Sequence, residues 1–357
     1  MVLYGPRRAG KTFLIENILK TCSGKIFTGV GEDRDIQAVL ESESVEKIKS
    51  LFSFYDIVFI DEAQQIRDVG TGLKLLVDHC KNTKLIATGS SSFELSEKVG
   101  EPLTGRKKQH ILYPVSIKEL SAQLGPMAIK QKLENLLIFG MYPEILEAES
   151  VEEKKELLIE LRDSYLLRDI LKFENLKNPR KLTQLLSLLA FQVGKEVSFT
   201  EIGQKLEMSK NTVSRYIELL EKSFVIQRIS GYAKNLRNEI TKSCRFYFLD
   251  IGIRNAVINN FNNLELRNDT GELWENFLFM ERIKANHYSK RYLNTYFWRT
   301  YSGQEIDLVE DTADGLFAFE FKWSPKKKPK APTAWAKHYP DAGYKIVHQN
   351  NFLEFCT

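Results

Sequence analysis

The feature that most constrains this chain is a glycine-rich run that begins at its fifth residue. The run consists of Gly5, Pro6, Arg7, Arg8, Ala9, Gly10, Lys11 and Thr12. Apolar residues precede it at 2–4, and Leu14, Ile15, Ile18 and Leu19 follow at helical spacing. A strand, a GxxxxGKT loop and a helix in this order predict a phosphate-binding P-loop.

The chemistry of a P-loop assigns a role to each part of the run. Backbone N–H groups of the loop surround the phosphates of a nucleotide, and the helix N-terminus adds its dipole. We expect Lys11 to reach the β- and γ-phosphates and the Thr12 hydroxyl to ligate Mg²⁺. ATP and Mg²⁺ are therefore the expected cofactors.

A second motif, over residues 55–62, supports this interpretation. Its apolar run at 57–60 predicts a strand that is buried on both faces, as in a parallel sheet. Two carboxylates follow at the carboxyl end of this strand, where open α/β sheets bind their ligands. We expect Asp61 to hold Mg²⁺ through water and Glu62 to polarise the attacking water.

Two further polar residues are candidates for contacts with the γ-phosphate. Ser90 follows a predicted strand at 84–89, and it is either a sensor of the γ-phosphate or a helix N-cap. Arg106 precedes the predicted last strand of the sheet. It is either an arginine finger, acting in cis or from a neighbouring subunit of a homo-oligomer, or part of a surface ion pair.

The motifs together resemble a family of prokaryotic AAA-type P-loop ATPases. The resemblance is carried by GPRRAGKT, FIDEAQ, ATGSSS, LTGR and YPVS, and by residues 140–144 and 165–170. In that family an ATPase domain is joined to a C-terminal domain of unknown function with a nuclease-like fold. The resemblance also implies a helical lid over the nucleotide. Similar proteins carry a further segment before the P-loop strand, so we expect a truncated start.

A helix, a short turn and a second helix are predicted over residues 198–222. Ser198 and Glu201 have the spacing of a capping box, or Thr200 caps the first helix itself. Apolar residues of the second helix recur at helical spacing, namely Val213, Tyr216, Ile217 and Leu220. A strand predicted at 224–229 completes the pattern of a winged helix-turn-helix.

The start of the second helix carries polar residues suited to duplex DNA. They are Lys210, Asn211, Thr212, Ser214 and Arg215. Such side chains contact phosphates and base edges in the major groove. Duplex DNA is the partner that this interpretation predicts. The alternative is a winged helix that only holds domains together.

Charged residues interrupt apolar patterns in three segments near the C-terminus. The segments are a helix with Glu275, an alternating strand with Asp307, and a second strand with Glu320 and Lys322. A turn is predicted at 311–315, between the two strands. The two-residue period of a strand puts Glu320 and Lys322 on one face. Pairing of the strands as a hairpin could bring Asp307 beside them.

This arrangement resembles the PD-(D/E)XK nuclease pattern. The resemblance implies that Asp307 and Glu320 bind Mg²⁺, that Lys322 steadies the attacking water and that Glu275 completes the acidic cluster. The alternative is a degenerate nuclease fold kept as a DNA-binding or dimerisation module, with Glu320 and Lys322 as a surface ion pair. The lysine-rich run at 324–330 is either a solvated loop or tracks a nucleic-acid backbone.

Composition narrows the class of protein. The 357 residues are enough for two or three domains, and the apolar runs are shorter than the roughly 20 residues of a membrane span. Because the P-loop begins at the fifth residue, we expect no signal peptide. The four cysteines form no CxxC pair, which predicts reduced thiols and a cytoplasmic location. A net charge of +4 is compatible with nucleic acid as a partner.

The predicted organisation is an α/β chain of four parts. They are a P-loop AAA-type ATPase domain at 1–120, a helical lid or linker at 121–182, a winged helix-turn-helix at 183–235 and a PD-(D/E)XK nuclease-like domain at 236–357. The predicted function is ATP hydrolysis directed to DNA. The alternative is a nucleotide-driven signalling switch whose winged helix and C-terminal domain bind protein and do not cleave DNA.

Overall fold

The computed structural model describes residues 1–89, 108–163, 178–233, 244–326 and 329–357. Two compact units make up the chain. The first contains Met1–Pro114 and Lys222–Phe224, and the second contains Val115–Glu221 and Val225–Thr357. Within the described ranges, no helix has the length and apolar character needed to cross a membrane.

The first unit is a parallel sheet with helices between its strands. Its strands are β1 Val2–Tyr4, β2 Ile26–Val30, β3 Ile57–Asp61, β4 Lys84–Gly89 and β5 Gln109–Ile111. Its helices are α1 Lys11–Lys20, α2 Arg34–Leu40, α3 Val45–Phe52 and α4 Val69–His79. The strand order is β2-β3-β4-β1-β5, and the four neighbouring pairs are parallel. The predicted α/β class with a parallel sheet is confirmed.

The order of the strands sets the positions of the two nucleotide-binding motifs. β4 lies between β1, which leads into the P-loop, and β3, which carries the acidic pair. Residues 57–60 are buried, as expected for a strand covered on both faces. On α1, Ile15 and Leu19 pack into this core, whereas Leu14 and Ile18 are exposed. The spacing of apolar residues therefore identified the helix, but it predicted a wider buried face than the helix has.

The second unit begins with helices. They are α5 Ile117–Leu124, α6 Pro126–Phe139, α7 Pro143–Glu147, α8 Val151–Leu161, α9 Pro179–Phe191, α10 Phe199–Leu206 and α11 Lys210–Lys222. Later helices are α12 Ile251–Val257, α13 Thr270–Tyr288, α14 Thr333–His338 and α15 Phe352–Cys356. The Asn255 amide donates to the carbonyls of Leu137 and Ile138, so α12 caps the end of α6. That these first helices form a lid over the nucleotide stays a prediction.

A six-stranded mixed sheet forms the centre of the second unit. Its strands are β6 Ile226–Gly231, β7 Cys244–Phe248, β8 Asn294–Arg299, β9 Glu305–Thr312, β10 Gly315–Phe321 and β11 Gly343–Val347, in the order β11-β10-β9-β8-β6-β7. β6 follows the helix-turn-helix and pairs with β7 and β8. The sequence predicts a domain boundary at residue 235. The six-stranded sheet, however, contains β6 from before this residue and β7 to β11 from after it.

The predicted hairpin near the C-terminus is present. β9 and β10 pair antiparallel, with Leu308 opposite Phe319 and Thr312 opposite Gly315. The turn is therefore shorter than the predicted 311–315, because Asp311 still pairs with Leu316.

A buried ion pair anchors α13 to the start of the second unit. The side chains of Glu281 and Lys284 are both 1% exposed, and their charged atoms are 2.7 Å apart. Glu281 accepts the N–H of Ile117 at 2.6 Å, and Lys284 donates to the carbonyl oxygen of Val115 at 3.2 Å. These contacts satisfy the backbone where α5 begins.

Candidate functional site

The glycine-rich loop connects β1 to α1 along a path that glycine permits. A Cβ on Gly5 would lie 2.1 Å from the carbonyl oxygen of Leu112, and Gly10 has a φ of 91°. Both positions would be strained with any other residue. Gly10 is the N-cap of α1, and no side chain caps its free N–H groups. The helix N-terminus therefore remains able to bind an anion.

Lys11 lies inside this loop. Its ammonium donates to the carbonyl oxygens of Gly5 and Pro6, both at 2.9 Å, and the residue is only 5% exposed. Burial lowers the pKa of Lys11 to about 8, although the carboxylates of Glu62 and Asp61 partly oppose that shift. The lysine is thus a weakly solvated cation among backbone groups, which suits contact with a phosphate.

Thr12 and Asp61 come together from two different parts of the sheet. The Thr12 hydroxyl donates to Asp61 Oδ2 at 2.7 Å. Hydroxyl and carboxylate oxygens are ligands that Mg²⁺ accepts, and Mg²⁺ in such sites takes its other ligands from phosphates and water. The pair therefore fits the predicted metal role of both residues.

Thr88 is a residue of this site that the sequence interpretation missed. It is fully buried near the end of β4, where its hydroxyl donates to Asp61 Oδ1 and accepts the Glu62 N–H at 3.1 Å. The sequence contained a signal for Thr88, because it is a polar residue near the end of an otherwise apolar strand. The interpretation chose Ser90 instead, and both Ser90 and Arg106 lie outside the described residues.

Glu62 adopts an unusual backbone conformation after β3. Its φ is 47°, in the left-handed region, at the start of the 3₁₀ turn Ala63–Gln65. The buried Gln64 amide donates to the Glu62 carboxylate. The carboxylate predicted to act as a base is therefore held by a neighbouring side chain.

The helix-turn-helix is built by two serine caps and one glycine. Ser198 accepts the Glu201 N–H at 3.4 Å and begins α10, so Thr200 is not the cap. Ser209 accepts the Thr212 N–H at 3.1 Å and begins α11. Gly203 allows the turn to approach α10, since a Cβ there would lie 2.6 Å from the Met208 carbonyl oxygen.

The outer face of α11 presents most of the predicted DNA contacts. Lys210, Asn211, Ser214 and Arg215 are exposed. Thr212 differs from them because it is half-buried and its hydroxyl shares a hydrogen bond of 2.8 Å with Ser209. The apolar positions Val213, Tyr216, Ile217 and Leu220 are buried.

Three of the predicted C-terminal residues line one cavity. The cavity has a volume of about 730 Å³, and Glu275, Asp307 and Lys322 are among its lining residues. Asp307 Oδ2 accepts the Phe321 N–H at 2.7 Å, which ties β9 to β10. Glu320 accepts from the Lys322 ammonium at 2.5 Å. The topology therefore brings the predicted residues together.

Burial and mutual repulsion shift the titration of these carboxylates. Burial, reinforced by the charge of Asp307, raises the pKa of Glu275 to about 8. The same two causes raise the pKa of Glu320 to about 7, against the opposing effect of Lys322. Such shifts are found both at functional sites and in structural ion-pair networks.

The sequence interpretation also missed Arg245, on β7. Arg245 is 3% exposed, and its guanidinium lies 2.8 Å from Glu305 and 3.6 Å from Glu275. Its charge also lies 4.5 Å from the centre of the Phe297 ring. No sequence signal marked it, because β7 is far from the three motif segments in the chain and meets them only in the fold.

The predicted metal ligands of the C-terminal unit do not fit a metal in this geometry. The charges of Arg245 and Lys322 already pair with Glu275 and Glu320, and Tyr247 also donates to Glu275 at 2.7 Å. Across the described ranges, no group of three or more His, Cys, Asp or Glu side chains is arranged to hold a metal ion. Metal ligation by Glu275, Asp307 and Glu320 therefore lacks structural support.

Comparison with known proteins places the chain among uncharacterized relatives. A protein of Mycobacterium tuberculosis is 23% identical over 325 residues, which cover 90% of this chain and 70% of that protein. A protein of Methanocaldococcus jannaschii is 24% identical over 299 residues, which cover 78% of this chain and 65% of that protein. Both carry the name uncharacterized protein.

Solved structures give a weaker likeness. The Aeropyrum pernix ORC1 protein in complex with DNA is 13% identical with a TM-score of 0.34, and the Aeropyrum pernix ORC2 protein in its ADP form is 12% identical with a TM-score of 0.37. Each comparison covers 72% of this chain and 86% of the other. These TM-scores are too low to establish a shared overall fold.

Family models divide the chain into three segments. Residues 130–264 match a domain of unknown function (DUF8612), and residues 270–355 match another (DUF4143). Residues 1–121 match the AAA domain. Together with the P-loop and the parallel strand order, this match shows that the N-terminal unit is similar to P-loop ATPase domains of the AAA type.

Proposed function

We propose that the N-terminal unit binds ATP with Mg²⁺ and hydrolyses it. The hydrogen bond between Thr12 and Asp61 is the observation that carries this proposal. It brings a hydroxyl and a carboxylate together next to the loop that holds Lys11. A bound Mg²⁺ would withdraw charge from the phosphates of ATP.

The residues of the loop have separate tasks in the proposed reaction. Lys11 exchanges its two carbonyl acceptors for phosphate oxygens, which are stronger acceptors because they are charged. Thr88 holds Asp61 in the orientation that Thr12 meets. Ser90 and Arg106 remain the proposed contacts of the γ-phosphate.

Glu62 is the proposed general base. It would take a proton from the water that attacks the γ-phosphorus. Its hydrogen bond with Gln64 holds the carboxylate toward its own turn. A change in this contact would therefore alter the rate of hydrolysis.

We further infer that α10, α11 and β6 form a winged helix that binds duplex DNA. Three exposed side chains support this inference at the start of α11, namely Lys210, Asn211 and Arg215. Thr212 contributes less, because its hydroxyl is engaged by Ser209. The strand that follows, β6, stands where a wing would begin.

The C-terminal residues 236–357 are proposed to have a nuclease-like fold. The hairpin of β9 and β10 supports this, because it carries Asp307 opposite the strand that bears Glu320 and Lys322. Cleavage is not part of the proposal, since the donor set does not fit a metal. The competing function is a nucleotide-driven switch in which the same elements bind protein.

One experiment separates the two functions. ATP hydrolysis by the full chain is measured with and without duplex DNA, and the measurement is repeated on Lys11→Ala. DNA-stimulated hydrolysis that Lys11→Ala abolishes supports a DNA-directed ATPase. Hydrolysis that Lys11→Ala abolishes but DNA leaves unchanged supports the switch. Hydrolysis that survives Lys11→Ala contradicts the proposed nucleotide site.

A further inference from the structure

The acidic pocket of the C-terminal unit contains an unusually placed arginine. Arg245 lies on β7, whereas the carboxylates around it come from α13 and β9. Its guanidinium spans two of them, with one nitrogen 2.8 Å from Glu305 and another 3.6 Å from Glu275. Asp307 and Lys322 line the same cavity. Carboxylates brought this close repel one another unless a cation lies between them.

We propose that Arg245 is the built-in cation of this pocket and takes the place that a divalent metal would need. A guanidinium keeps its charge at any pH that a protein survives, and its planar fork can bind two carboxylates at once. Unlike a metal ion, it cannot dissociate. The pocket then always contains a positive charge that the chain itself supplies.

The surroundings fix Arg245 in this position. The residue is 3% exposed, and the Phe297 ring lies 4.5 Å from its guanidinium carbon. An arginine over an aromatic face is attracted by the ring electrons. Within β7, Arg245 is paired with Ile229 of β6, so its backbone is held by the sheet. Moving it out would require breaking several contacts together.

The other donors of the pocket point to the same conclusion. Glu275 accepts from the Tyr247 hydroxyl at 2.7 Å, and Asp307 accepts from the Phe321 N–H at 2.7 Å. Lys322 pairs with Glu320, as Arg245 pairs with Glu275 and Glu305. A divalent cation entering here would compete with these donors and would be repelled by Arg245.

The proposal predicts that removal of one side chain creates a metal site. The probe is Mn²⁺, titrated into the nucleotide-free full chain and followed by electron paramagnetic resonance of the free ion. Asp61→Ala is present in every sample, so that the P-loop contributes no metal binding. The parent is the Asp61→Ala protein that retains Arg245. We expect Arg245→Met to bind one Mn²⁺ about tenfold or more tightly than this parent does.

Matched variants assign the metal to this pocket. Addition of Asp307→Asn to Arg245→Met should remove the new site, and Arg245→Lys should behave like the parent, because it keeps a cation. Thermal unfolding by circular dichroism, with and without Mn²⁺, shows whether each variant is folded. A metal-dependent rise in melting temperature confined to Arg245→Met would support the proposal.

Two results would overturn it. The first is Mn²⁺ binding by the parent that Asp307→Asn abolishes, since the pocket would then hold a metal with Arg245 in place. This measurement remains decisive even where Arg245→Met does not fold. The second is a folded Arg245→Met that binds no Mn²⁺. Neither result depends on ATP hydrolysis, so the proposed ATPase function stands or falls separately.

Discussion

Thr12 and Asp61, which are 49 residues apart in the chain, share a hydrogen bond of 2.7 Å between hydroxyl and carboxylate. One follows β1 and the other ends β3, and β4 lies between those strands. Thr88, on this intervening strand, binds the second oxygen of Asp61. Three strand ends thus converge on one carboxylate, and this convergence underlies the first three predictions.

Different residues of the nucleotide site are expected to serve nucleotide binding and hydrolysis. We expect Lys11→Ala to lose nucleotide binding, because it removes the buried cation that faces the phosphates. We expect Glu62→Gln to bind ATP but to hydrolyse it about 10²- to 10⁴-fold more slowly, because the amide cannot accept the proton of water. Calorimetric titration and a steady-state phosphate assay measure the two effects. Hydrolysis by Glu62→Gln at the parent rate would show that Glu62 is not the base.

ATP affinity should depend on pH through Lys11. Because burial lowers the pKa of Lys11 to about 8, the ammonium keeps its proton below that pH and loses it above. Phosphates bind the protonated form, so affinity should be constant at lower pH and fall by about tenfold per unit of pH above it. Calorimetry in buffers of different ionisation enthalpy would detect the accompanying proton uptake.

The exposed Lys20, in the last turn of α1, offers a control for this effect. Lys20→Ala should keep the same pH profile. Affinity that stays constant until the protein unfolds would contradict the assignment of the titrating group to Lys11.

Thr88 is expected to position Asp61. Thr88→Val keeps the shape of the side chain but leaves the Glu62 N–H without its acceptor, at a cost of about 1–3 kcal/mol in the free energy of unfolding. We also expect hydrolysis to require more Mg²⁺, since Asp61 loses its donor. Thr88→Ser keeps the hydroxyl and should restore the Mg²⁺ requirement. An unchanged Mg²⁺ requirement in Thr88→Val would assign Thr88 a purely structural role.

Duplex DNA binding should depend on the exposed start of α11. Lys210→Ala and Arg215→Ala should each weaken binding and reduce the slope of log affinity against log salt by about 1. Fluorescence anisotropy at several salt concentrations measures both quantities. Lys345→Ala serves as the control, because it also removes one positive charge but lies on β11. It should leave the slope unchanged. Equal affinity and slope in all three variants would favour a winged helix that binds protein.

The buried pair of Glu281 and Lys284 should stabilise the second unit strongly. Lys284→Met leaves a buried carboxylate without its cation, and we expect a loss of about 3–5 kcal/mol in the free energy of unfolding. Lys205→Met, which breaks an exposed pair with Glu201, should cost at most about 0.5 kcal/mol. Urea denaturation measures both. Similar losses in the two variants would show that burial does not amplify the interaction.

The local motifs were readable because their chemistry depends on neighbours in the chain. The P-loop, the acidic strand and the apolar positions of α11 follow from spacing alone, since helices and strands repeat over short distances. The hairpin of β9 and β10 followed from alternation in the same way. Even here, Leu14 and Ile18 had the spacing of buried residues and are exposed, because spacing cannot tell how wide the covered face is.

Other features depended on which distant segments meet. Thr88 enters the nucleotide site because the chain order of strands is rearranged in the sheet, and Arg245 enters the acidic pocket because β7 pairs with β6. β6 itself lies in one sheet with strands from beyond residue 235. Sequence alone identified the P-loop and the acidic strand. Only the tertiary structure decided which charges face one another, because ion pairing acts through space and is independent of separation along the chain.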